Sequence, residues 1–249
     1  MTTVVLFVSG VVMGSFLNVV GLRWNWPRQD GALSNFGGRS FCLSCGKILE
    51  WWELVPIVSF LMLGAKCSKC RSLISWQYPL VELWTGLVFI SVPYIFLPIF
   101  CVYTVILIYD FRHKVIPDAL VYIGVTLALI SRLATGGNFW DWLAGPIIFS
   151  FFWLIWFLSR GRAMGFGDAK LGLSIGLLLG ASQGFSAIVL AFWIGALSSV
   201  VYLFLDKMNF LKRAEKLTIK SEIPFAPFII IGALISLVFD LDILHVALS

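Results

Sequence analysis

The stretch YPLVELWTGLVFISVPYIFLPIFCVYTVILIYDFRHK, residues 78–114, decides the fold. From Tyr78 to Tyr109 it carries a single charge, Glu82. As one helix this block would run about 48 Å at 1.5 Å per residue, far beyond a hydrocarbon core of roughly 30 Å. One crossing would also leave Arg112, His113 and Lys114 outside, against the tendency of basic residues to stay cytoplasmic. Two shorter spans that meet near Pro93 and Pro98 satisfy both constraints.

The rest of the chain follows the same logic. With 249 residues, 60% of them hydrophobic and 12% charged, it is too apolar for an ordinary soluble domain. The net charge of +5 does not point to nucleic acid. Lys and Arg fall between apolar blocks, not on a basic face with aromatic platforms. The run from Val4 to Leu22 has no positive n-region and no small-residue cleavage site, and it ends in Arg23 and Arg28, so it reads as a retained first span with its N-terminus outside. Further spans are expected over 119–134, 142–159, 169–183, 186–205 and 224–239. Cytoplasmic loops then hold every Lys and Arg except Arg132, while Asp141, Asp240 and Asp242 face outward. The expected fold is an all-α polytopic membrane protein of about eight transmembrane helices, with a small zinc-binding cytoplasmic insertion after the first span. Residues 1–22 form the first transmembrane helix, 23–77 the cytoplasmic tetracysteine domain and 78–249 the membrane-embedded domain. No internal repeat is evident.

On this map Asp110 closes the third span and Asp168 opens the sixth, both near the cytoplasmic surface. Asp168 lies in Met164-Gly165-Phe166-Gly167-Asp168-Ala169-Lys170. A carboxylate beside hydrocarbon is costly, so it calls for a function or a partner. Two neighbouring carboxyls share one proton, giving an acid and a base at the same pH, which is the equipment of an aspartic protease. Gly165 and Gly167 would let the backbone turn sharply and approach an extended substrate, and Lys170 would tune the pair or mark the interface. The competing reading pairs the aspartates with Arg112, Lys114 or Lys170 as structural ion pairs. Asp118 competes with Asp110 as partner, but its place before Ala119 suits an N-cap.

Cys42 and Cys45, then Cys67 and Cys70, form two Cys-x-x-Cys pairs separated by twenty-one residues. Four thiolates at that spacing are a zinc signature, and a closed four-sulfur site is structural, because it leaves no position for activated water. A redox role for the pairs is the lesser alternative. Cys101, in an apolar span, reads as a small buried hydrophobe. Trp51, Trp52 and Trp76 flank the module and form either its core or a ledge at the membrane interface. Glu82 reads as a first-turn acid favoured by the helix N-terminus. His113 reads as an interfacial cation, and His245 lies in the tail without a visible partner.

Taken together, the chain resembles the bacterial type 4 prepilin peptidases, the prepilin leader peptidase/N-methyltransferases, which are membrane aspartic proteases with a Gly-x-Gly-Asp motif. The resemblance runs through Gly14-Ser15-Phe16-Leu17-Asn18-Val19-Val20 with Arg23, the paired cysteines, Tyr78 to Glu82, Asp110 to Asp118 and Gly165 to Lys170. It implies an endopeptidase of the bacterial inner membrane, facing the cytoplasm, that removes the basic leader from type 4 prepilins or pseudopilins, typically between Gly and Phe. Its catalytic pair carries over to Asp110 and Asp168. Many members also methylate the new N-terminus with S-adenosylmethionine, an activity associated with the cysteine-containing region. The implied partners are the prepilin and membrane lipid, with no nucleic acid; the sequence specifies no oligomeric state. Two rivals stand beside this reading: another intramembrane aspartic protease, and an ion-coupled transporter with a regulatory zinc module.

Overall fold

A computed structural model describes residues 1–24, 39–162, 164–207 and 224–243. Arg28, His245 and the basic segment 208–223 lie outside the described residues. The chain divides into two compact units, Met1–Ile108 and Tyr109–Ser249. Among the described residues there is no β-strand, only two isolated antiparallel bridges.

The first unit contains α1 (Thr2–Arg23), a 3-10 turn at Trp51–Leu54, the short α2 (Val58–Met62), α3 (Gln77–Ser91) and most of α4 (Leu97–His113). The block read as two spans breaks where expected. α3 ends before Pro93, and Pro98 sits in the first turn of α4, where the missing N–H costs nothing. α1 packs on α3 through small residues. A Cβ at Gly14 would stand 2.8 Å from the Thr85 hydroxyl and 2.9 Å from the Glu82 Cα, so only glycine allows this approach. Gly10 and Gly86 make the same seam from opposite sides. Along it Asn18, fully buried, donates to the Tyr78 carbonyl at 3.3 Å, and Ser15 hydrogen-bonds the Glu82 carboxyl. The motif around Gly14 to Asn18 and the motif around Tyr78 to Glu82 are therefore two halves of one helix contact.

The second unit holds the end of α4, then α5 (Asp118–Thr135), α6 (Phe139–Ser159), α7 (Phe166–Leu179), α8 (Ala181–Lys207) and α9 (Ala226–Val238). At its centre is α7, buried over Asp168, Ala169, Leu171, Gly172 and every residue from Ser174 to Leu179. Its backbone touches α6 directly, since a Cβ at Gly176 would fall 2.7 Å from the Gly145 Cα. The helix stops at Gly180, whose φ of 82° belongs to the left-handed region. The break between α7 and α8 thus falls four to five residues earlier than the sequence pattern suggests.

Among the described residues, eight apolar helices lie where spans are expected, and five of them are long and apolar enough to cross a bilayer: α1, Tyr94–His113, α5, α6 and the Ala181–Val201 part of α8. α3, α7 and α9, of 15, 14 and 13 residues, are shorter.

Arg132, the basic residue that broke the charge pattern, is buried at the end of α5. Its Nε donates to the Leu177 carbonyl at 2.9 Å and its Nη2 to the Leu178 carbonyl at 3.0 Å, so it caps the last turn of α7. Asp141, at the start of α6, accepts the Ala181 N–H at 3.1 Å across the same break. Arg132→Met is expected to leave these carbonyls unpaired and to cost about 3 kcal/mol. Thermal unfolding in detergent should show a midpoint several degrees lower, with the exposed Arg112→Met unchanged.

Candidate active site and metal centre

Asp110 sits in the last turn of α4, and Asp168 in the first turn of α7. Both belong to the second unit. They are 4% and 7% exposed. The two carboxyls are near enough to interact through space. Asp168 also accepts the backbone N–H of Gly165, the residue that caps α7. The Oδ2 of Asp110 is buried and has no hydrogen-bond partner among the described residues.

The competing ion pairs do not form. Among the described residues neither aspartate is in a salt bridge; Lys170 instead pairs with Asp118 at 2.6 Å and lies over the rings of Tyr122 and Phe166. Asp118 is not the N-cap expected of it. Pro117 occupies that position without a side-chain cap, and Asp118 is the first residue of α5, its carboxylate turned to Lys170. Neither Gly165 nor Gly167 has a positive φ. Gly167 serves a close approach: a Cβ there would stand 3.0 Å from that of Ile116, the buried residue after the end of α4.

In the first unit, all four cysteine sulfurs of Cys42, Cys45, Cys67 and Cys70 lie within 4.8 Å of one another, and Cys42 and Cys70 within 3.8 Å. Zn–S bonds of about 2.3 Å in a tetrahedron put sulfurs about 3.8 Å apart, so the set fits such an ion with little movement. The two knuckles are built alike. Cys42 N–H bonds the Lys47 carbonyl and Gly46 N–H the Cys42 carbonyl; Cys67 N–H bonds the Ser72 carbonyl and Arg71 N–H the Cys67 carbonyl. The bridges Phe41–Ile48 and Lys66–Leu73 repeat at the same offset. This short repeat escaped the sequence reading, since only the cysteines survive in both copies. The Cys45 backbone N–H and the Ser72 hydroxyl hold the Cys42 thiol down to about 6, toward the ligand form.

Glu53 ties the knuckles together. Lys47, beside the first pair, bonds its two oxygens at 2.9 and 3.0 Å and also the Ser68 hydroxyl at 2.7 Å; Ser68, inside the second pair, donates to Glu53 as well. Burial opposes the charge on Glu53, but Ser68, the Glu50 N–H and Lys47 outweigh it and hold the carboxyl down to about 2. Sequence inspection had no signal for this hub.

The family model of the bacterial peptidase A24 N-terminal domain matches residues 8–96, and that of the type IV leader peptidase family matches residues 95–200. The prepilin leader peptidase/N-methyltransferase of Pseudomonas aeruginosa is 32% identical over 92% of this chain and 87% of its own length. The chain belongs to the type IV leader peptidase family. Family members of the same name from Stutzerimonas stutzeri, at 30% identity over 92% of this chain and 88% of the relative, and from Bacillus subtilis, at 28% over 93% and 92%, extend the likeness across nearly the whole sequence. No solved structure matches. Membership, with five helices of crossing length, makes this a multi-pass protein of the inner membrane.

Because the Glu53 carboxyl is held low, its contribution is complete above the ordinary carboxylate range and fades only as pH falls toward 2. Glu53→Gln is expected to weaken metal retention about 10-fold, measured by competition with a chelator. The ratio to wild type should stay constant between pH 6 and 8.

Proposed function

We propose that this chain is a prepilin leader peptidase that cleaves the basic leader from type 4 prepilins or pseudopilins and then methylates the new N-terminus. The cleavage site would face the cytoplasm. The observation that carries the proposal is the pair Asp110 and Asp168: two buried carboxyls within electrostatic reach, neither in an ion pair with a basic residue among the described residues.

Two such groups hold one proton between them. The ionised carboxyl takes a proton from water as the water oxygen attacks the scissile carbonyl, while the protonated one gives its proton to the carbonyl oxygen. Collapse of the tetrahedral species breaks the C–N bond, and the proton gained by the first carboxyl passes to the leaving amine. The Gly165 N–H fixes the Asp168 carboxyl, and Gly167 seats the first turn of α7 against Ile116. An apolar cavity of about 400 Å³, lined by Met164, Phe192, Phe225 and Phe228 among others, opens beside the residue that caps α7 and suits an apolar segment following the leader.

In this reading residues 78–249 carry the peptidase and 23–77 the metal module. Cys42, Cys45, Cys67 and Cys70 would hold a zinc ion that orders the module. The methyl donor called for is S-adenosylmethionine. The apolar cavity beside α7 offers little to its ribose or amino-acid ends.

Asp110→Asn and Asp168→Asn should each lower leader removal about 100-fold or more, with zinc content and membrane insertion unchanged. Incubation of the purified protein with a Gly-Phe leader substrate, with and without methyl donor, reads leader loss and methyl gain together by mass spectrometry. Near-normal cleavage by either variant rejects the pair.

A further inference from the structure

The metal module carries a compact apolar lobe that no function described above uses. The 3-10 turn Trp51–Leu54 packs on α2, and Phe60 of α2, buried, meets the ring of Trp76 edge-on at 4.9 Å. Around that small core the large side chains point outward: Trp51 is 78% exposed, Leu61 69%, Met62 77% and Trp76 66%. Trp51 and Trp76 therefore present most of their surface outward, Trp76 while its ring also covers Phe60.

A part-buried hydrogen bond ties this lobe to α3. The Ile57 N–H, between the 3-10 turn and α2, donates to the Glu82 carboxylate at 2.7 Å. Glu82 is not the first-turn acid that its sequence suggested; it lies in the second turn of α3. Five residues beyond the helix start correspond to about 7.5 Å along the axis. Ile57 adopts φ 60° and ψ −50°, with Val58 N–H bonded to the Pro56 carbonyl at 2.5 Å. That is a strained γ-turn for a β-branched residue, and it persists where surrounding bonds hold it. On α3 at the same level, Leu80 is 60% and Leu83 43% exposed, so apolar surface runs from the helix onto the lobe.

We infer that Trp51, Leu61, Met62 and Trp76 rest in the interface of the protein's own membrane and hold the metal module against an anionic lipid surface. Trp favours that boundary, and an apolar face of this kind beside a membrane helix sinks into the border of headgroups and acyl chains. Charge agrees with the occupant. Between Arg39 and Trp76 there are five basic residues against Glu50, Glu53 and the charge of about −2 that four thiolates give a divalent ion; Glu53 is already paired with Lys47, and the exposed Lys66, Lys69 and Arg71 carry the small positive excess. The remaining cations suit lipid phosphates. A protein partner on the same face is the alternative. The inference does not depend on the catalytic pair.

The test places p-benzoylphenylalanine at Leu61, at Met62 or at Trp51 of the full-length protein, in nanodiscs of phosphatidylethanolamine and phosphatidylglycerol, with Leu80 on α3 as reference. After irradiation, intact-mass spectra should show phospholipid adducts at the lobe positions at no less than about one third of the Leu80 yield. The Trp51 position keeps an aromatic ring and decides the matter if a change at 61 or 62 lowers metal content. Lobe positions that give no lipid adduct while Leu80 does, or adducts to a second polypeptide in native membranes, overturn the inference.

Discussion

The second unit rests on one contact, the backbone of α7 against the backbone of α6 at Gly176 and Gly145. Any side chain there would push the two helices apart. With them in contact, α7 is enclosed by α5, α6, α8 and α9, and the residue at its start, Asp168, is drawn under cover with it. Arg132 then holds the far end of the same helix through the Leu177 and Leu178 carbonyls. A charged side chain at that depth is tolerated because it meets the unpaired acceptors of a helix terminus, each of which would otherwise lack a donor. The position of the carboxylate is thus set by packing along the whole helix and not by its own loop.

The first unit uses the same means for another end. Gly10, Gly14 and Gly86 bring α1 and α3 together, and the polar residues on that seam do not face lipid. Asn18 reaches the backbone of α3, while Glu82 collects Ser15 from α1 and Ile57 from the metal module. A carboxylate inside a helix contact so joins three segments that are distant in sequence. Hydrogen bonds of this type are modest in a membrane, yet they specify which faces meet.

Much of this was legible in the residues. Apolar length, the prolines and the placement of Lys and Arg located the helices, because hydrophobicity and helix rise act locally along the chain. The paired cysteines announced their cluster, since ligand spacing is itself a local property. What could not be read was pairing between distant segments. Nothing in the sequence says that Lys170 chooses Asp118, that Arg132 serves α7 or that Glu82 takes the Ile57 N–H. The N-cap assigned to Asp118 failed because a proline before it took the cap position. Gly165 and Gly167 were read through backbone freedom, whereas crowding against Ile116 is what Gly167 answers.

The brevity of α7 has a consequence for the solvent. Fourteen residues extend about 21 Å, well short of a hydrocarbon slab of roughly 30 Å. Enclosed by the longer α5, α6 and α8, such a helix meets those neighbours and not lipid, so its shortness is matched by protein and not by a deformed bilayer. Hydrolysis consumes water, and a helix end that stops short of the slab's full thickness leaves a shorter distance for that reactant to travel.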